Sequence, residues 1–327
     1  MLKEGQIMNR RRWAILIVSS LLITSAIILV FRSSEWVAVP GSGQWEETVV
    51  SAGQGQTRVA QLFVEGPITN SAGLFSSGFL AGDFISQLNQ VKEDPTIKGL
   101  VIRVNSPGGS VVVSDDMHNK IVDVQQAGKK VVISMGEVAA SGGYYIAAPA
   151  DYIFASPLTI TGSLGVIFSI PNYQEAAKKI GYYEETITSG NYKDIGNPLR
   201  PMKESEKDIY RSLVDEAYAR FVEVIANGRD MSKADVMKIA DGRVYSGRQA
   251  KDLGLIDAFG TLEAATAYTQ EAVGTPDAQV IRYTAPFTFA SLLTSVRQQQ
   301  PSLVSEALIK AFPELFVESG LLYLFRP

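Results

Sequence analysis

From Arg58 to about Thr284 the chain alternates short β-branched runs with stretches of helical spacing, and this alternation limits the fold more than any other feature. Strand-like runs occur at RVAQLFVEG (58–66), KGLVIRVN (98–105), KKVVISMG (129–136), DYIFASP (151–157), SLGVIFSI (163–170), YEETITSG (183–190) and AQVIRYT (278–284). Between them lie helical patterns. DFISQLNQVKEDP (83–95) ends at a proline, and SVVVSDDMHNKIVDVQQAG (110–128) closes at Gly128, a C-cap glycine. NYQEAAKKIG (172–181), a long amphipathic span over 203–228, and the shorter DMSKADVMKIA and SGRQAKDLG follow. Strands separated by helices of this length predict an α/β fold whose parallel sheet is built from crossover units.

The first residues carry a different signal. Arg10, Arg11 and Arg12 precede an uncharged apolar run from Trp13 to Phe31. A helix of about 20 such residues spans the roughly 30 Å hydrocarbon layer of a bilayer. The basic cluster predicts that residues 1–12 stay in the cytoplasm, that 13–31 form a single transmembrane anchor, and that the rest lies outside the cell membrane. A cleaved secretory signal is the competing reading. Its apolar core is usually about 7–15 residues, and RSSEWVAVPG offers no small-x-small cleavage motif. Residues 32–56, rich in Gly, Ser and Gln, read as a linker, 57–285 as the folded domain and 286–327 as a tail ending in LLYLF. The tail is expected to serve in oligomerisation or to mimic a substrate.

Composition removes several classes of function. A net charge of −4 without a basic stripe argues against nucleic acid as a partner. The absence of Cys excludes disulfides, thiolate metal sites and a cysteine nucleophile. No His/Asp/Glu cluster has metal-ligand spacing, and neither a P-loop nor a dinucleotide fingerprint occurs. No cofactor is expected.

Three segments carry chemistry. In VNSPGG (104–109) a strand breaks at Pro-Gly-Gly before a helix, which exposes backbone N–H groups where a carbonyl can approach. This reads as an oxyanion hole at Gly108, with Gly109 beside it, or as a plain turn. In MGEVAASGGYYIA (135–147) small residues flank Ser141 at a strand-to-helix turn, so Ser141 is either a presented nucleophile or an N-cap. The surroundings do not match the G-x-S-x-G elbow. In SGNYKD (189–194) Lys193 follows an extended segment; from the residues alone it is one lysine among many. A serine can be activated by an amine in place of an imidazole, and the chain has a single histidine. That residue, His118, has Asp115 three positions before it and Asp116 nearby. A Ser-His-Asp triad is therefore conceivable, but helical register assigns His118 to the polar face of its helix.

Together with TGSLGVI (161–167) and ADGRVYSGRQA (240–250), these segments resemble the signal peptide peptidase A family in its short bacterial form. The resemblance covers roughly residues 58–285 in the family's order. It implies the Clp protease/crotonase-like fold, a spiral core of repeated ββα units. It implies Ser141 as nucleophile, Lys193 as general base, Ser163 as a hydroxyl orienting the lysine, and Gly108 as oxyanion-hole donor. It further implies a membrane-anchored homo-oligomer that degrades cleaved signal peptides and other apolar peptides. Two alternatives share parts of this pattern: a crotonase-like acyl-CoA enzyme, and a non-catalytic membrane scaffold or peptide-toxin resistance factor.

Overall fold

The β-branched runs become the centre of a nine-stranded sheet. The computed structural model describes residues 45–70, 79–284 and 321–324; the apolar run at 13–31 and most of the tail lie outside them. Among the described residues no helix is long and apolar enough to cross a membrane. In chain order the elements are β1 (Glu46–Ser51), β2 (Arg58–Glu65), α1 (Ala81–Glu93), β3 (Ile97–Ser106), β4 (Gly108–Ser110), α2 (Val111–Gln126), β5 (Lys130–Ala140) and α3 (Gly142–Ala147). There follow β6 (Tyr152–Ala155), β7 (Ile160–Gly162), β8 (Ile167–Phe168), α4 (Gln174–Lys179), α5 (Glu204–Gly228) and α6 (Lys233–Ile239). The last are β9 (Val244–Ser246), α7 (Gly247–Asp252), β10 (Ala258–Phe259), α8 (Leu262–Ala272), β11 (Gln279–Thr284) and β12 (Leu321–Leu324).

The large sheet runs β1-β11-β2-β3-β5-β6-β10, with β7 paired to the end of β5 and β9 to β7. Every pairing from β11 to β10 along this path is parallel, as is β5 with β7; β1/β11 and β7/β9 are antiparallel. Parallel strands need both faces covered, and the side-chain alternation divides the core accordingly. Leu100, Ile102, Val131 and Ile133 join the larger cluster, which also takes in buried residues of α1, α2 and α3. Val59, Val101 and Val132 join the cluster that includes Ala265 of α8. A separate three-stranded sheet, β4-β12-β8, is antiparallel throughout.

Three sequence expectations change. Residues 46–51, assigned to the linker, form edge strand β1. Its side chains are exposed, so it shows no buried-face pattern, and it is held by its ladder to β11 and by Trp45, whose indole donates to Ser86 and whose backbone bonds Gln90. Of SLGVIFSI only Ile167–Phe168 is a strand. YEETITSG forms none: residues 183–190 are exposed and lack a ladder partner, without which strand propensity has no expression.

His118 also departs from its expected polar face. It is 8% exposed, its ring stands edge-on to Tyr145 with centroids 5.3 Å apart, and Nδ1 has no hydrogen-bond partner. Asp115 does not serve it as the acid of a triad. Its carboxylate accepts from Tyr145, from Arg220 of α5 (3.1 Å) and from Asn119 (3.0 Å), tying α2, α3 and α5 together. Burial, and then the Arg220 charge, push His118 down to about 4. The unfolded imidazole binds its proton near pH 6.5, so stability present at neutral pH is lost as pH falls from 6.5 towards 4. The loss amounts to about 3 kcal/mol over that window. His118 is the sole histidine, so its removal isolates its share of this slope. The melting temperature is expected to fall between pH 6.5 and 5, and a His118→Gln variant to flatten that slope in calorimetry.

Candidate active site

The site grows from a kink in β5. Val104 pairs with Met135, but Ser106 pairs with Ala139, so β5 bulges at Gly136–Val138. Side chains hold the bulge: Asn105 Oδ1 accepts from Val138 N (3.1 Å), Thr159 Oγ1 donates to the Gly136 carbonyl (2.7 Å), and Thr161 Oγ1 donates to that of Ala139 (2.6 Å). Past the bulge β5 pairs with β7 and delivers Ser141 at the start of α3. Ser141 has φ 53° and ψ −115°, a conformation costing about 1–3 kcal/mol in a residue with a Cβ. Its N–H donates to Gly162 (2.8 Å) and its carbonyl accepts from Tyr145 (2.8 Å). The hydroxyl does not cap the helix. The residue is 1% exposed and Oγ has no partner, so a reactive-type oxygen is held by a strained backbone and left unengaged.

The Pro-Gly-Gly turn meets this elbow backbone to backbone. A Cβ on Gly142 would stand 2.7 Å from Ser114 Oγ, 3.1 Å from Gly108 Cα and 3.2 Å from Gly109 N. Only glycine allows that approach, and Gly108 itself takes φ 96°. Within β4, Gly108 O accepts from Ile68 N (2.8 Å) and Ser110 N donates to Ile68 O (3.0 Å). By strand alternation the N–H and C=O of Gly109 face the opposite edge, where Tyr323 of β12 pairs with it. Gly108 N donates to Ser106 Oγ at 3.1 Å. Gly142, read from the sequence only as a small flank of Ser141, opens α3, and first-turn N–H groups lack intrahelical acceptors. The Ser-Gly-Gly run after a strand is the signal that could have identified it.

Ser163 lies one residue beyond Gly162, which receives the Ser141 N–H, so the fold brings Ser163 to the elbow; its φ is 51° and its N–H donates to Arg243 (2.7 Å). Lys193 makes no hydrogen bond to Ser141 Oγ. It is exposed, and Ser141 Oγ bonds nothing. Its neighbour Asp194 is engaged elsewhere: Arg200 grips it through Nε (2.8 Å) and Nη2 (3.0 Å), and grips Glu206 at the start of α5 through Nη1 (2.8 Å) and Nη2 (2.6 Å). Hydrogen bonds from Arg200, then from Lys203 N, lower the Glu206 carboxyl to about 2. This clamp fixes the backbone beside Lys193 against α5. Nothing in helical or strand spacing identifies it from sequence.

The sequence that builds this site has relatives among known proteins. The profile of Peptidase family S49 matches residues 123–275. A protein provisionally named signal peptide peptidase SppA from Enterococcus faecium is 33% identical over 94% of this chain and 96% of its own.

The chain belongs to peptidase family S49.

Protease 4 of Haemophilus influenzae is 35% identical over 66% of this chain and 35% of its own, and the chloroplastic serine protease SPPA of Arabidopsis thaliana is 34% identical over 74% and 34%. Membership makes the chain a serine peptidase and sets aside the acyl-CoA reading. In this S49 chain, Gly142→Ala is expected to lower kcat on a peptide substrate by about 10²-fold. Its stability should fall by only about 1–3 kcal/mol, because the new methyl displaces the turn without emptying the core. Steady-state kinetics beside a urea melt check both.

Proposed function

We propose that this serine peptidase is an endopeptidase of apolar peptides, including cleaved signal peptides, working at the membrane through a Ser141/Lys193 dyad on a Clp protease/crotonase-like core. The observation that carries this reading is the tail strand. The backbone of β12 lies antiparallel to β4, Leu322 opposite Ser110 and Leu324 opposite Gly108, with β8 on its other side. An extended peptide added in this way leaves its backbone beside the elbow, and sheet addition is a general mode of peptide recognition. Sequence LLYLF is itself apolar, which supports apolar substrates and makes the tail a substrate mimic.

In the proposed mechanism, Ser141 Oγ attacks the scissile carbonyl while the neutral amine of Lys193 takes the hydroxyl proton. The oxyanion rests on the N–H groups of Gly142 and Gly109; Gly108, whose own N–H turns to Ser106, shapes the turn. Lys193 returns the proton to the leaving amine. It then draws a proton from the water that attacks the acyl-enzyme and passes it to Ser141 Oγ as the ester bond breaks, which releases the acid product and restores the serine hydroxyl and the free amine. Ser163 orients the lysine.

Lys193 sits on a segment carrying the exposed side chains Ile180, Tyr182, Tyr183, Ile187 and Tyr192. Apolar surface of this kind is normally covered, so the functional unit is a homo-oligomer in which a second copy supplies the lysine. The anchor at 13–31 keeps it in the cell membrane with the catalytic domain on the outer side.

Ser141→Ala and Lys193→Ala variants are each expected to abolish cleavage of a synthetic signal peptide. Co-expressed, they should regain roughly a quarter of parental activity if residues from two copies assort at random around a closed ring. Regained activity at the level of either variant alone would assign both residues to one chain; activity retained in Ser141→Ala would overturn the dyad. Ending the chain after Ser319 should raise the initial cleavage rate several-fold by clearing the groove, as measured in the same assay.

A further inference from the structure

Beside the elbow stands a buried hydroxyl that no step of the chemistry uses. Among the described residues, four buried side-chain atoms have no hydrogen-bond partner: Ser141 Oγ, Ser114 Oγ, His118 Nδ1 and Tyr283 Oη. Ser141 is the nucleophile of the proposed mechanism, and His118 packs edge-on to Tyr145. Tyr283 lies on β11, with β2 and β3 between it and β5. Ser114, wholly buried, sits at the glycine seam itself.

Ser114 belongs to the buried stripe of α2, with Val113, Met117 and Ile121. A hydroxyl buried without a partner costs about 1–3 kcal/mol, so packing alone favours Ala at this position. The neighbour explains the serine. Two contacts grip the glycines that open α3: a Cβ on Gly143 would stand 2.7 Å from the Ser106 carbonyl oxygen, and a Cβ on Gly142 2.7 Å from Ser114 Oγ. The next atoms about that Gly142 position are backbone, Gly108 Cα at 3.1 Å and Gly109 N at 3.2 Å. Ser114 Oγ is therefore the side-chain stop against which Gly142 rests. In a close-packed interior a smaller residue lets such a seam close and a bulkier one forces it open.

Resting on the mechanism above, in which the oxyanion meets the N–H groups of Gly142 and Gly109, we infer that Ser114 is a positioning residue for those donors. Its hydroxyl oxygen holds Gly142 off α2 and against the Gly108–Gly109 turn, at the separation where both N–H groups reach one oxygen. Ser114 hydrogen-bonds neither Ser141 Oγ nor any other group; it acts through the backbone that it abuts. Oxyanion donors must lie about 2.7–3.1 Å from the developing charge, and a misplacement of about 1 Å costs roughly 10²-fold in rate. Stability lost to an unpaired hydroxyl is thus exchanged for donor placement, a trade common at functional sites.

The test uses the full chain in detergent and compares turnover with thermal stability. Ser114→Ala is expected to lower kcat on a synthetic signal peptide about tenfold, with KM nearly unchanged and the melting temperature equal to or above that of the parent. A peptide boronic acid, whose tetrahedral adduct on Ser141 places an oxygen at the two donors, should bind this variant about tenfold more weakly. The uncleaved peptide should bind Ser114→Ala/Ser141→Ala as it binds Ser141→Ala. Gly142→Ala supplies the second arm. Its added methyl meets Ser114 Oγ first, so Gly142→Ala should lower kcat less in the Ser114→Ala background than in the parent. Parental kcat in Ser114→Ala, a loss of kcat matched by a fall in melting temperature, or additive losses in the double variant would each overturn the assignment. Cleavage that survives Ser141→Ala counts against the peptidase mechanism itself, whereas parental activity in Ser114→Ala leaves that mechanism standing.

Discussion

Two stretches of backbone touching without side chains between them organise this protein. Gly142 meets the Gly108–Gly109 turn so closely that an added Cβ would stand 3.1 Å from Gly108 Cα and 3.2 Å from Gly109 N, and much else serves that contact. The parallel order of β3 and β5 brings both strand ends to the same edge of the sheet. The Asn105, Thr159 and Thr161 hydrogen bonds hold the bulge that swings β5 towards β7. Burial of Tyr144 and Tyr145 under α2 and α5 fixes the short helix behind the serine. The strain at Ser141 persists because each neighbouring segment is pinned independently.

In one chain Ser141, the Gly108–Gly109 turn and strand β12 lie together, while Lys193 is exposed on a segment whose own apolar side chains face solvent. Arg200 keeps that segment ordered at its base by pairing with Asp194 and Glu206 together.

How far the sequence could be read follows from where the forces are local. That Ser141, Gly108, Gly109 and Ser163 would come to lie near one another was legible because each sits at the end of a strand whose pattern is continuous and whose neighbours are set by crossover geometry. Edge strand β1 was not: EETVVS buries nothing, and its place depends on the remote partner β11. YEETITSG has the propensity of a strand and no ladder to join. His118 looked polar on a helical wheel, yet Tyr145 and Phe221 close over that face of α2, a tertiary fact with no signature in its own helix. Lys193 could be named from resemblance, but its approach to the serine is not determined by this chain's internal contacts.

The outermost ladder has a mechanical consequence. Glu46 pairs with Thr284 at one corner of the sheet, so the chain enters and leaves the described fold side by side. A pull on the polypeptide upstream of Trp45 therefore arrives first at the β1/β11 ladder and at the bonds of Trp45 to Gln90 and Ser86, and three strands, β11, β2 and β3, stand between β1 and the strand that delivers Ser141.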